Sequence, residues 1–310
     1  MRIAYLLPIV ALPLLSSGCL IGQFMARNVA SLGEMKSVPN KITDPSRPDA
    51  RLAVLWVGHA TVLIQMDDKF ILTDPVFTST VGQLSPRLVE PGIEVGHLPS
   101  LDAVVISHMH FDHLSLGSIE KIEGKVRWLG MPRGGLVYLT DFGFPAEEVP
   151  WWSTRTLPGG LRVTGVPVQH GGWRYGLDQA WRRGVGSGGW VIEYRGMTVY
   201  FGGDSGLNES YYRATRERFP SIDLALLPIA PIHPRDFMKR VHTDPDEALT
   251  AFELLGARWM VPIHYDTFVN SLDDAGEPEK VLREAMKRRG YDDGRVSVLG
   301  IGEQRVLIGK

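Results

Sequence analysis

Ala103-Val104-Val105-Ile106-Ser107-His108-Met109-His110-Phe111-Asp112-His113 is an apolar, β-branched run that leads directly into four potential metal ligands within six residues. The short uninterrupted apolar part, Ala103–Ser107, reads as a buried strand. Alternation along an extended loop aims His108 and His110 the same way, while Asp112 and His113 can serve a second ion where the chain turns into a helix. So dense a ligand set at the end of a strand points to a metal-binding loop. Further ligand types follow strand candidates downstream: His170 after Val163–Val168, Asp204 after Val199–Gly203, and His264 after Met260–Ile263. Together they supply the remaining ligands of a two-metal centre. The chain has a single Cys, which excludes a thiolate cluster, so any metal rests on His, Asp and Glu.

Around this loop the pattern alternates between strands and single helices. Leu52–Val57, Thr61–Met66 and Lys69–Thr73 read as a meander joined by Gly58-His59 and Asp67-Asp68 turns. Further strands are expected at Val126–Leu129, Arg162–Val168, Trp190–Tyr194, Met197–Phe201, Leu224–Leu227, Trp259–Pro262, Val296–Leu299 and Gln304–Ile308. The clearest helix signal opens at Asp244, with Pro245 at the first helical position and Glu247 three residues after the cap, and stops at Gly256. Glu277–Arg289 before Gly290, and Glu209–Phe219, are two more. Meanders interrupted by single helices predict an α/β fold of two packed mixed sheets with helices outside, in one domain over residues 51–310.

The ordered ligand set, with Leu72-Thr73-Asp74-Pro75, resembles the metallo-β-lactamase superfamily and its αββα sandwich. The resemblance implies that His108, His110 and His170 bind one ion and Asp112, His113 and His264 the other, with Asp204 bridging. Asp74 would support the ligand loop by hydrogen bonds without touching metal. Zn²⁺ is the metal the resemblance implies, although all-N/O ligation also suits Fe or Mn²⁺. Two such ions would hold a bridging hydroxide for hydrolysis without a covalent enzyme intermediate.

A narrower resemblance rests on Trp56-Val-Gly-His59-Ala-Thr61, Ser85-Pro86-Arg87, Phe201-Gly-Gly-Asp204-Ser205, Pro234-Arg-Asp-Phe237-Met238-Lys239 and His242-Thr-Asp-Pro-Asp-Glu-Ala248. These are similar to the N-acylphosphatidylethanolamine-hydrolysing phospholipase D family, which implies phosphodiester cleavage of a lipid. In that pattern His242 would contact a phosphate oxygen or the leaving group; its plain alternative is a neighbour of a helix cap. His59 either lines the metal pocket or packs structurally. The segment His170–Trp190 departs from the pattern, so Trp173, Tyr175 and Trp181 form either an aromatic pocket wall or a packing cluster. Phe237 and Met238 face either an acyl chain or the core. The competing functions are a lactone or carboxylic-ester hydrolase, since a bridged hydroxide also attacks carbonyls, and an envelope lipoprotein that binds metal without turnover.

Residues 1–18 carry one basic residue, an apolar run from Ile3 to Leu15 and then small residues, which is too short to span a bilayer and fits a signal peptide. Leu15-Ser16-Ser17-Gly18-Cys19 resembles a bacterial lipobox, which implies a lipid on Cys19 and anchorage at the cell envelope; Leu20 after the Cys favours the outer membrane, periplasmic side. Residues 19–50 lack periodicity and hold Pro39, Pro45 and Pro48, so a tether or surface arm is expected. The formal charge of -2 disfavours nucleic acid as a partner. The expected partners are a lipid or small phosphodiester and a membrane surface; the family contains dimers, but no interface signature stands in this sequence.

Overall fold

Nine residues, Ala50–Gly58, form strand β1, and all but Arg51 are buried. Its side chains divide by parity: Leu52, Val54 and Trp56 enter one apolar cluster, Leu55 and Val57 the other. A strand buried on both faces reads as a continuous apolar run, and this one lies between two cores. The computed structural model describes residues 22–31, 33–82, 85–175 and 186–310; the expected signal peptide, Cys19 and Trp181 lie outside the described residues.

The other strands are β2 (Thr61–Met66), β3 (Lys69–Thr73), the short pair β4 (Thr80–Val81) and β5 (Ser85–Pro86), β6 (Ala103–Val105), β7 (Leu129–Met131) and β8 (Ala146–Glu148). They are followed by β9 (Thr154–Thr156), β10 (Arg162–Val166), β11 (Gly189–Tyr194), β12 (Met197–Phe201), β13 (Leu224–Pro228), β14 (Trp259–Ile263) and β15 (Gln304–Gly309). Among the described residues these build a sheet of order β15-β1-β2-β3-β6-β7-β8 and a second of order β14-β13-β12-β11-β10-β9. Both are mixed, with parallel pairing over β3-β6-β7-β8 and over β12-β13-β14.

The helices are α1 (22–30), α2 (Leu116–Ile122), α3 (Glu209–Arg218), α4 (Arg235–Met238), α5 (Pro245–Leu255) and α6 (Glu277–Arg289). Val163, Trp190 and Ile192 of the second sheet share a core with β1, and that cluster continues onto Phe252 of α5 and Leu282 of α6. On the far face of the first sheet, Leu72 and Ile106 pack on Ile119 and Ile122 of α2. The result is the expected sandwich of two mixed sheets with helices outside.

Three expectations need correction. Val126–Leu129 is displaced: the strand is Leu129–Met131. Val296–Leu299 makes a single bridge, Val296 to Met260, where the Met260 amide donates to Arg295 and its carbonyl accepts from Ser297. The next inward donor on β14 would be Pro262, which has no N–H, so the ladder stops there. Residues 22–30 are a helix although that segment shows no clear apolar period; β8 and β9 are likewise absent from the sequence reading, because Ala-Glu-Glu and Thr-Arg-Thr are short polar strands.

Candidate metal centre

The strand ends that carry the ligand-type residues meet at one edge of the sandwich. Parallel β3 and β6 deliver Asp74 and Ser107-His108, while β12 and β14 deliver Asp204 and His264. Turns in the left-handed backbone region finish several of these strands: His59 has φ 55°, Asp74 φ 32° and His264 φ 69°. Such conformations are costly outside glycine and persist where surrounding bonds hold them. Here the His264 amide donates to the His59 carbonyl (3.0 Å), and the His59 amide to Thr267 Oγ1 (2.7 Å). Gly203, at φ 55°, precedes Asp204; a Cβ on it would stand 2.3 Å from Ser107 Cβ, so glycine is what lets the two sheets' loops close on each other.

Four imidazoles have their outer nitrogen committed. His170 Nδ1–H donates to Val241 O (2.8 Å) and His264 Nδ1–H to Ala230 O (3.0 Å), because a carbonyl can only accept. His113 Nδ1–H donates to Asp74 Oδ2 (2.6 Å), and His108 Nδ1–H to Ser107 Oγ (2.9 Å), whose own proton goes to Asp74 Oδ2 (2.5 Å). Asp74 also accepts the Ser107 amide (2.6 Å). The inner nitrogens therefore converge: Nε2 of His264, His113, His108 and His170 lie 3.1, 3.3, 3.8 and 3.9 Å from the Asp204 carboxylate. His113 Nε2 and His264 Nε2 are 3.2 Å apart. Four imidazole nitrogens packed around one carboxylate need positive charge among them, supplied by protons on His264 and His113 or by metal ions that displace those protons, and N/O donors at this spacing fit metal ions.

Two ligand groups can be drawn within 4.8 Å: His108, His110 and His170, and Asp112, His113 and His264 with His59. Asp204 also groups with His108 and His113, and with His170 and His242. Electrostatics separate the members. Burial presses His110 down to about 3, helped by neighbouring His170. His108 is lowered for the same reason, burial first and then His113. Burial also opposes charge on His264, yet Asp204 and Asp112 outweigh it and raise that ring to about 9; His113 is raised as well against its burial, by Asp204 and Asp112. Burial would protonate Asp204 and Asp112, but the rings of His264 and His113 hold both ionised. Ligand carboxylates are thus already in the form that binds cations.

His59 is buried, with Nε2 3.0 Å from Asp112 Oδ2 and its pKa pushed down to about 3, chiefly by burial and then by His264. His242 is largely covered, its Nδ1 3.7 Å from Asp204 Oδ2 and without a hydrogen-bond partner. It therefore stands on the wall of the cluster rather than as a remote cap neighbour. His97 ends an exposed one-turn helix and His233 pairs with Glu277 at the surface (3.0 Å), so neither joins.

Residues that carry no ligand chemistry brace the site. Arg174 Nη1 donates to Met109 O (2.9 Å) and Leu114 O (2.8 Å), on both sides of the ligand loop. Buried Arg87 holds Val76 O and lies over Phe268, whose ring meets His59 edge-on. Burial lowers Arg87 to about 10. Neither role follows from sequence spacing, since each arginine acts on backbone carbonyls of another segment. Trp173 sits edge-on to His110 (4.6 Å), Tyr175 is exposed, and Phe237 and Met238 line the cavity instead of the core. The cavity, about 370 Å³, is lined by His110, Asp112, His170, Asp204, His242 and His264 together with apolar side chains.

Such a cluster at the strand ends of an αββα sandwich fits a metal-dependent hydrolase. The beta-lactamase superfamily domain matches residues 69–265. The N-acyl-phosphatidylethanolamine-hydrolyzing phospholipase D 1 of Caenorhabditis elegans is 31% identical over 271 residues, 81% of this chain and 74% of that protein. A metal-dependent hydrolase of Methanoregula boonei is 31% identical over 251 residues, 80% of this chain and 95% of that one. An isothiocyanate hydrolase from Delia radicum gut bacteria shares the fold, with a TM-score of 0.66 at 19% identity over 83% of this chain and 100% of its own. The chain belongs to the metallo-β-lactamase superfamily and, within it, to the family of the N-acylphosphatidylethanolamine-hydrolysing phospholipases D.

Proposed function

We propose that the protein is a dizinc phosphodiesterase that cleaves N-acylphosphatidylethanolamine or a similar amphipathic phosphodiester at a membrane surface. The observation that carries this is a cavity that Asp204, on which four Nε2 atoms converge, lines together with apolar side chains, on a chain 31% identical to a protein named for that hydrolysis. His108, His110 and His170 would hold one ion, Asp112, His113 and His264 the other, with Asp204 shared. Metal ions bound there would supply Lewis-acid stabilisation of phosphoryl charge and would acidify a water.

The chain's own groups do the positioning. Asp74 and the carbonyls of Val241 and Ala230 fix the inner nitrogens of their imidazoles. His59 holds the orientation of the Asp112 carboxylate. His242, facing the cavity beside Asp204 and kept neutral by burial, contacts a phosphoryl oxygen or the leaving group. Apolar side chains exclude water from the bound ester. A lipid on Cys19 would hold the enzyme at the envelope, on the periplasmic side of an outer membrane, where such substrates lie. Among the described residues no helix is long and apolar enough to cross a membrane.

The test is release of N-acylethanolamine from vesicles by zinc-loaded protein. Activity is expected to vanish with chelator and in Asp112→Asn. His242→Gln should lower kcat roughly 10²- to 10³-fold with metal content retained. Absence of turnover of any phosphodiester by fully metallated protein overturns the assignment.

A further inference from the structure

The catalytic cavity has a wall that comes from outside the matched hydrolase domain. Helix α1 (22–30) precedes residues 69–265, yet the half-buried Phe24 lines the same cavity as His110, Asp112, Asp204 and His242. Its apolar companions there include Phe237, Met238 and Phe268.

The placement of α1 is held by specific bonds. Arg27 Nη1 donates to Asp273 O (2.7 Å), and Arg27 Nη2 pairs with Asp274 Oδ1 (2.7 Å), residues nearly 250 positions away. Asn28 is buried, and its Nδ2 donates back to the Phe24 carbonyl (2.9 Å), fixing the turn that carries the phenyl ring. The same helix leaves Met25 and Val29 exposed, at 59% and 65%, so burial of apolar side chains does not run around the whole helix. Phe24 is the apolar residue that α1 contributes to the cavity lining.

We propose that Phe24 is a specificity-determining residue: the segment ahead of the hydrolase fold supplies the surface on which the apolar arm of the substrate, next to its scissile phosphodiester, packs. This rests on the reading of the site as a phosphodiesterase. A cavity of about 370 Å³ stands at the lower end of small-molecule sites, so it takes the phosphodiester and the first part of one arm and leaves the rest of a lipid outside. Phe24 touches that first part. A substrate with a short arm gains nothing from it, whereas one with several methylenes loses apolar surface to the ring.

The experiment compares methyl and hexyl p-nitrophenyl phosphate, which share a leaving group, on zinc-loaded full chain in detergent. The wild type should favour the hexyl ester in kcat/KM. Phe24→Ala should reduce the hexyl-to-methyl ratio about tenfold, Phe24→Leu should restore most of it, and Arg27→Ala, which releases α1, should reduce it in the same direction. Calorimetric binding of hexylphosphonate and methylphosphonate to the same proteins should show the same change in ratio without turnover. An unchanged ratio in Phe24→Ala, in catalysis or in binding, overturns the proposal, as does an equal loss for both ligands, which marks a structural role alone. If the wild type hydrolyses neither ester, the phosphodiesterase reading fails separately, and the phosphonate ratios decide the role of Phe24.

Discussion

Identical side chains take different roles here because of what their second polar atom touches. His113 and His97 are the same residue type, but His113 is buried with Nδ1 on Asp74, whereas His97 is exposed on a short helix. Asp74 is the anchor of the ligand loop, since its carboxylate accepts from the Ser107 amide, the Ser107 hydroxyl and His113 at 2.5–2.6 Å. Asp74→Ala leaves a buried amide and a buried imidazole N–H unpaired, at a cost of about 1–3 kcal/mol each, and frees His113 to rotate. Zinc titration should show affinity reduced roughly 10- to 100-fold. Gly203→Ala should be worse than its size suggests, because the new methyl meets Ser107 and φ is positive; soluble protein with a markedly lower melting temperature and substoichiometric metal is the expected outcome.

Helix α5 shows what an element contributes. Asp244 accepts from the Glu247 amide (2.9 Å), Glu247 reaches back to the Asp244 amide, Pro245 opens the first turn and Gly256 closes the helix at φ 64°. Arg235 joins this box to the site, pairing with Glu247 and donating to the His242 carbonyl (3.0 Å). Asp244→Ala should cost about 1 kcal/mol, read as a drop of a few degrees in melting temperature. In the same first turn, Arg289 bonds to Asp246 (2.8 Å) and holds that carboxyl below its usual range. A depressed folded-state pKa contributes stability above the unfolded value, about 3.9, and loses it as pH falls through the folded one. Being partly exposed, the pair is worth about 0–1 kcal/mol. The melting-temperature gap between wild type and Arg289→Gln should therefore narrow between pH 7 and pH 3, and a constant gap would assign the effect to Arg289's bonds with Thr250 and the Asp246 carbonyl.

At the scale of the molecule, the two sheets are brought together by the core on one face of β1 and by a ligand cluster drawn from both sheets. Metal that binds the folded cluster and not the unfolded chain stabilises the whole fold, by about 2.7 kcal/mol at a free concentration 100 times Kd. Chelation should thus lower the melting temperature and abolish turnover together, and added Zn²⁺ should restore both in one titration. Recovery of stability without activity would separate folding from catalysis.

The order of ligand types after strands, the capping box of α5 and the bounds of β2, β3 and β12 are legible in the sequence, because local chemistry decides them: short apolar runs bounded by turn residues, a cap three residues from its acid, a glycine stop. The loop His108–His113 announces metal by density alone. What the tertiary structure decided are contacts that no local rule carries. Pro262 ends the ladder that Val296 begins, Arg174 and Arg87 grip carbonyls of distant segments, and His242 faces Asp204 because α4 and α5 are tied by Arg235. Phe24 lines the cavity from a helix that Arg27 ties to the 273–274 turn. Sequence fixes which groups are available, and long-range packing fixes which of them share a dry space of a few ångströms, where their charges act on each other.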